Sequence, residues 1–185
     1  MPDIWFTADF HFGHSNIIRY CNRPFRNAEE MDQTILERLN ASVKVNDILY
    51  FLGDFCIGSK TRDLEHRKQI RCKKVFAAPG KHDKEARKLA EEFTWLGQPR
   101  GNLCQRATHR AMSLRHARLE PCPSRRVASL RFHGKLPEAP TSLSMDVGVD
   151  THDFRPWHFG EFSLLVTEKA KARGELQSAA PSNSQ

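Results

Sequence analysis

The 185-residue sequence lacks any long apolar run: stretches such as 48–52 and 162–166 fall far short of the ~20 residues that a membrane-spanning helix needs. Its first residues, Met-Pro-Asp-Ile-Trp-Phe, carry no basic segment and soon reach Asp9, which argues against a secretory signal. Cysteine is sparse. The five, at 21, 56, 72, 104 and 122, are odd in number and never spaced CxxC, which argues against a structural zinc site and a disulfide framework. A reducing cytoplasm is the expected compartment. No internal repeat is visible, and no partner membrane is implied.

What is present is a chain with 39% hydrophobic and 9% aromatic residues, enough for a core in one domain spanning 1–176, with a disordered tail at 177–185. The formal charge of +7 invites a nucleic-acid reading, but its location undercuts it. Residues 98–132 hold eight Arg and one Glu, which is the entire excess; the remaining residues are neutral in sum. That window also contains no Lys, Asp, Ile, Tyr or Trp, and its one aromatic residue, Phe132, stands at its end. An Arg-rich loop of this kind could neutralise phosphates. It has no stacking platform, though, and no helix-turn-helix or zinc-finger spacing. Nucleic acid is therefore expected as a substrate at most, with an Arg-rich nucleic-acid-binding protein as the third-ranked reading.

Residues 4–8, 47–53 and 74–78 are short apolar runs rich in β-branched and aromatic residues, and read as buried strands. Asn27 with Glu30 three residues on has the form of a capping box, after which Met31, Ile35 and Leu39 recur on one helix face. Further helices are predicted over 59–71, 84–93 and 161–176, and a strand over 142–149. Strands alternating with helices predict an α/β layer architecture. Polar residues cluster where such strands end: Asp9 and His11, then Asp54, then His82 with Asp83. In open α/β sheets that edge is where ligand sites are built. Carboxylates and imidazoles without thiolates suit Mn²⁺, Fe, Zn²⁺ or Ni²⁺. Each element alone is a common turn former or surface residue; the ordered set points to one or two divalent ions. His152 and His158 are read as surface residues, Cys56 as a small buried hydrophobe, and Trp5, Trp95 and Trp157 as packing residues.

Asp9-Phe10-His11, Gly53-Asp54 and Gly80-Lys81-His82-Asp83 together resemble the first three motifs of the calcineurin-like metallophosphoesterases. The flanking run from Phe12-Gly13-His14-Ser15-Asn16 to Arg23-Pro24-Phe25 resembles a small single-domain bacterial and phage branch, and His133-Gly134-Lys135 with Asp146-Val147-Gly148-Val149-Asp150 resumes the likeness. It covers about 1–95 and 133–162. The resemblance implies a β-sandwich flanked by helices, irregular around 98–132. It implies a phosphate mono- or diester hydrolase acting on a small-molecule or nucleotide substrate through metal-activated hydroxide. Asp9, His11, Asp54 and His133 would hold the first ion, His109 would serve the second, and His82 would act near the leaving group with Asp83 orienting it. His14, Arg23 and Lys81 are candidates for gripping the phosphate.

Two departures concern the second ion. Lys81 stands where the family has Asn, and Arg131 where it has the first His of Gly-His-x-His. Two like unit charges ~4 Å apart repel by about 4 kcal/mol at an effective dielectric of 20, so a crippled second site, in a catalytically impaired member of the family, is the alternative reading. The composition of 98–132 reads as an Arg-rich insert or as an out-of-frame segment left by a pair of compensating frameshifts. If they occurred, translating the gene there in its other two frames will restore a Gly-His-x-His; its absence from both frames would refute them.

Overall fold

The structure, a computed structural model, describes residues 1–57, 59–78, 80, 82–83, 88, 91–95, 129–131 and 144–172. Its elements are β1 (Ile4–Thr7), α1 (Ser15–Tyr20), α2 (Ala28–Ser42), β2 (Ile48–Phe51), α3 (Lys60–Gln69), β3 (Lys74–Ala77), β4 (Thr94–Trp95), β5 (Ser129–Arg131), β6 (Ser144–Asp146), β7 (Trp157–His158) and α4 (Phe159–Ala172). The main sheet runs β4-β3-β2-β1-β7, with β1 to β4 parallel and β7 antiparallel to β1. A two-stranded parallel sheet, β5-β6, is separate. The protein is thus a mixed α/β fold with a mixed sheet flanked by helices.

Alternation along each strand sorts side chains to two faces. Leu49, Phe51, Val75 and Ala77 join Met31, Ile35 and Leu39 of α2 in one core, together with Phe10, Phe12 and Phe55 from the loops after β1 and β2. The opposite face, Ile4, Phe6, Ile48 and Tyr50, packs against Phe159 and Phe162 of α4 and Met145 of β6. Phe6, Tyr50 and Phe76 stack across β1, β2 and β3 at 5.5 and 5.2 Å between ring centroids, cross-strand pairs that add to the burial itself. Met31, Ile35 and Leu39 are at most 1% exposed, each contributing roughly 2 kcal/mol by leaving water.

The predicted elements recur with shorter bounds. The Asn27 side chain accepts the Glu30 amide at 2.9 Å and caps α2. Glu30, however, does not return the bond to Asn27: its carboxylate takes the Arg26 amide and guanidinium at 2.8 and 3.0 Å. The 59–71 helix is α3, with Ser59 as its cap. The helix predicted at 161–176 begins two residues earlier, at Phe159. Most of the helix predicted at 84–93 lies outside the described residues, as do 98–128, His109, His133 and the tail from 177. Strand β4 was not predicted; two residues are too few to show a period. His152 is half-buried, its ring stacked on Trp157 at 3.8 Å, rather than a free surface residue. Among the described residues no helix is long and apolar enough to cross a membrane.

One buried cation ties the loop after β1 to Asp150, which lies 127 residues beyond that cation in the chain. The Arg23 side chain is fully buried, and all five of its N–H groups are spoken for. Nε and Nη2 fork onto the Asp150 carboxylate at 2.8 Å each, Nη2 also reaches the Asp9 carbonyl at 2.7 Å, and Nη1 reaches the Phe10 carbonyl at 2.9 Å and the Met31 sulfur at 3.3 Å. Its expected role as a phosphate ligand is corrected here, because no donor remains for one. Arg23→Ala, leaving Asp150 and two carbonyls without their partner, should lower unfolding stability by about 3 kcal/mol. Chemical denaturation will measure it, and a loss below about 1 kcal/mol would contradict this role.

Candidate metal centre

Because β1, β2 and β3 are parallel, their carboxyl ends open on one edge, and the loops that leave them run side by side. The Asp9 amide donates to the Gly53 carbonyl at 2.9 Å, the His11 amide to Asp54 at 3.0 Å and the Phe12 amide to Phe55 at 3.0 Å, so pairing outlasts the strands. On the other flank the Val149 amide donates to the Ala8 carbonyl at 3.1 Å. Asp9, His11 and Asp54 all adopt left-handed backbone, with φ of 59°, 55° and 58°. Among non-glycine residues Asp, Asn and His tolerate this region best, yet it costs roughly 1–3 kcal/mol apiece. Each turn throws its side chain to the same point.

There, one ligand atom from each of Asp9, His11 and Asp54 lies within 4.8 Å of the other two, and all three residues are buried. The structure thus brings together three of the four residues expected to hold the first ion; His133, the fourth, lies outside the described residues. The donor set is two carboxylates and an imidazole, oxygen and nitrogen atoms suited to a divalent cation. His11 Nδ1 is buried without a hydrogen-bond partner among the described residues. Burial, opposed by Asp54 and reinforced by Arg23, His14 and His82, pulls the His11 pKa down to about 4. The ring is neutral at pH 7, the form in which imidazole binds metal.

Asp83 was expected to orient His82. Its carboxylate is instead taken by three backbone amides, Asp54 at 2.8 Å, Phe55 at 2.6 Å and Gly80 at 2.7 Å. It fastens the loop after β3 to the turn that carries Asp54, and is corrected from a partner of His82 to a support for Asp54. Burial pushes its pKa up, with the Asp54 charge adding to the rise and the three amides opposing it. The His82 amide in turn donates to Asp54 Oδ1 at 2.8 Å, which leaves the second carboxylate oxygen for another partner. A side-chain carbon on Gly80 would overlap the Asp54 amide and carboxylate, so the close approach of the two loops requires glycine.

His82 is exposed, and its ring sits 5.4 Å from His11 and 6.2 Å from His14, with His11 and His14 5.5 Å apart. The three imidazoles thus lie within 6.2 Å of one another, His11 buried and His82 exposed. Burial, with His82 and Arg23, lowers the His14 pKa, and its Nδ1 is without a hydrogen-bond partner among the described residues. Lys81 and His109, and the side chain of Arg131, lie outside the described residues. Sequence reasoning missed Asp150, the partner of Arg23, and Gly148, where an added Cβ would stand 3.0 Å from the Asp9 carboxylate. The run Asp146-Val147-Gly148-Val149-Asp150 was itself the available signal.

No family model matches the chain. Over 90 residues, 48% of its length, it is 39% identical to the uncharacterized protein MJ1445 of Methanocaldococcus jannaschii. The chain spans about half (51%) of the length of that relative. In three dimensions it is similar to the crystal structure of a protein of unknown function, AQ665, from Aquifex aeolicus, with a TM-score of 0.57 over 89% of this chain and all of the other, at 20% identity. At that identity the likeness is one of fold.

The environment of His11 generates a measurable expectation. In metal-free protein its imidazole should titrate near pH 4, well below the ordinary 6.5. Between those values the unfolded chain binds the extra proton, so the His11 contribution to stability is complete above about 6.5 and is lost as pH falls through about 4. Nitrogen-15 NMR of the ring will check this; a midpoint above 6 would contradict it.

Proposed function

We propose that the protein is a metal-dependent phosphoesterase, hydrolysing a phosphate mono- or diester. The observation that carries this reading is the buried Asp9–His11–Asp54 cluster, with ligand atoms within 4.8 Å, at the edge where three parallel strands end. The motif resemblance quoted for the sequence supports it, and in this reading β5 and β6 belong to the second sheet of the family's sandwich. Asp9, His11 and Asp54 would hold one divalent ion, Mn²⁺ by preference, with two negative charges and a neutral imidazole. When bound, such an ion supplies Lewis acidity to a phosphoryl oxygen and lowers the pKa of water towards neutrality.

The chain's own groups do the rest. His82, exposed and with its ring 5.4 Å from that of His11, would give a proton to the departing ester oxygen. His14, its ring 6.2 Å from that of His82, would present a second imidazole to the phosphate. Asp83 acts through the backbone, keeping the Asp54 turn in its left-handed form, and Arg23 does the same for Asp9 through its carbonyl. Burial of the cluster strengthens each of these charge interactions relative to water.

The test is Mn²⁺ binding by calorimetry together with hydrolysis of aryl phosphate mono- and diesters. Wild type should bind the ion and turn over at least one of the two. Asp54→Asn keeps an oxygen for the His82 amide but removes the charge. It should cut Mn²⁺ affinity and turnover by more than about a hundredfold, beyond what losing a group bonded to a ligand costs. Turnover that survives this substitution would refute the metalloenzyme reading. Tight binding of one ion with no turnover would favour the impaired alternative.

A further inference from the structure

Behind the turn that carries His11, the chain builds a second ionisable pair that the phosphoesterase reading does not use. The His14 amide closes this turn onto the His11 carbonyl at 3.0 Å, with Gly13 inside it at a φ of 72°. Asp32, on the buried flank of α2, accepts the Gly13 amide with both carboxylate oxygens, at 2.9 and 3.1 Å. His66 of α3 sets Nε2 3.1 Å from the same carboxylate and Nδ1 2.9 Å from the Arg62 carbonyl. Its ring lies flat on Phe12, 4.6 Å between centroids and 9° between planes. Both side chains of the pair are 13% exposed.

The proton count follows from the partners. A carbonyl oxygen only accepts, and so does an ionised carboxylate. With Asp32 ionised, both contacts are hydrogen bonds only when both ring nitrogens of His66 carry hydrogen, so the geometry suits an imidazolium. Burial opposes that charge, but the hydrogen bond to Asp32, the Arg62 carbonyl and the Asp32 charge outweigh it and raise the His66 pKa, while the Arg62 guanidinium lowers it. Glu29 and Glu37 of α2, with Arg62 and Arg71, face the same cavity of about 1010 Å³ that His66, Asp32 and Gly13 line.

We propose that His66 and Asp32 form a proton-dependent clasp on the His11–His14 turn, which makes His66 a positioning residue for the cation cluster. When His66 loses its proton, the ion pair with Asp32 and one of the two hydrogen bonds are lost, which weakens the hold of α3 on the carboxylate that accepts the Gly13 amide. The clasp is full below about pH 6.5 and is released as pH rises through the raised folded value. Only its consequence for metal rests on the cation-site reading; the clasp itself belongs to the metal-free protein.

The experiment follows the His66 ring nitrogens and the Gly13 amide by NMR in metal-free protein from pH 5 to 9, with Mn²⁺ affinity measured over the same range. In wild type both ring nitrogens should be protonated at pH 6. The Gly13 amide should move with the His66 midpoint, above 6.5, and Mn²⁺ affinity should fall across it by on the order of tenfold relative to the variant. His66→Gln can still donate to Asp32 but does not titrate, so its Gly13 signal should stay level. A purely structural His66 would leave the two pH profiles parallel, and that result overturns the clasp. So does a singly protonated ring at pH 6. Gly13 moving with His66, in a protein that binds no Mn²⁺ at any pH, would overturn the cation-site reading while supporting the clasp on the turn.

Discussion

The site depends on a charge taken out of water. Arg23 is buried with every N–H bonded, and its fork joins the Asp150 carboxylate to the carbonyls of Asp9 and Phe10. A lone guanidinium in that position would be prohibitive, and the full set of acceptors is what makes it tolerable. In return the loop after β1 is held at its backbone, which leaves the Asp9 carboxylate to face the cluster. The Phe154 ring, 5.8 Å from the guanidinium carbon, closes the assembly from the C-terminal side.

The same device recurs around the cluster with the sign of the charge reversed. Asp83 gathers three backbone amides from two loops, and Asp32 gathers the Gly13 amide and the His66 ring. Each places a buried charge behind a left-handed turn that a freely jointed loop would leave. Three non-glycine residues at positive φ within one site are held by a fixed set of charge-assisted hydrogen bonds. Apolar packing contributes the platform: Phe10, Phe12 and Phe55 bury the undersides of the loops whose polar residues form the cluster.

Much of this was legible in the chain. The four-residue recurrence of Met31, Ile35 and Leu39 marks the buried face of α2, and Asn27 marks its start, because periodicity and capping are local. Asp9, His11 and Asp54 stand out because strand-end carboxylates and imidazoles in order are uncommon together. The failures are equally local in cause. Glu30 has the capping-box position but a stronger partner in Arg26. Arg23 beside a predicted phosphate loop reads as a phosphate ligand until its acceptors are seen, and Asp83 beside His82 reads as that ring's partner until three amides claim its oxygens.

What the amino-acid sequence determined by itself is the order of the elements, the faces they bury and the residue types delivered to one sheet edge. These follow from nearest-neighbour chemistry and from side-chain period. Which of those polar residues face a ligand and which hold the scaffold was decided only by the tertiary structure. Hydrogen bonds act over about 3 Å, and the partners that settle the matter, Asp150 for Arg23, Asp54 for Asp83 and His66 for Asp32, lie 29 to 127 residues away along the chain. No local pattern encodes such a pairing; only the folded chain brings the two groups within reach.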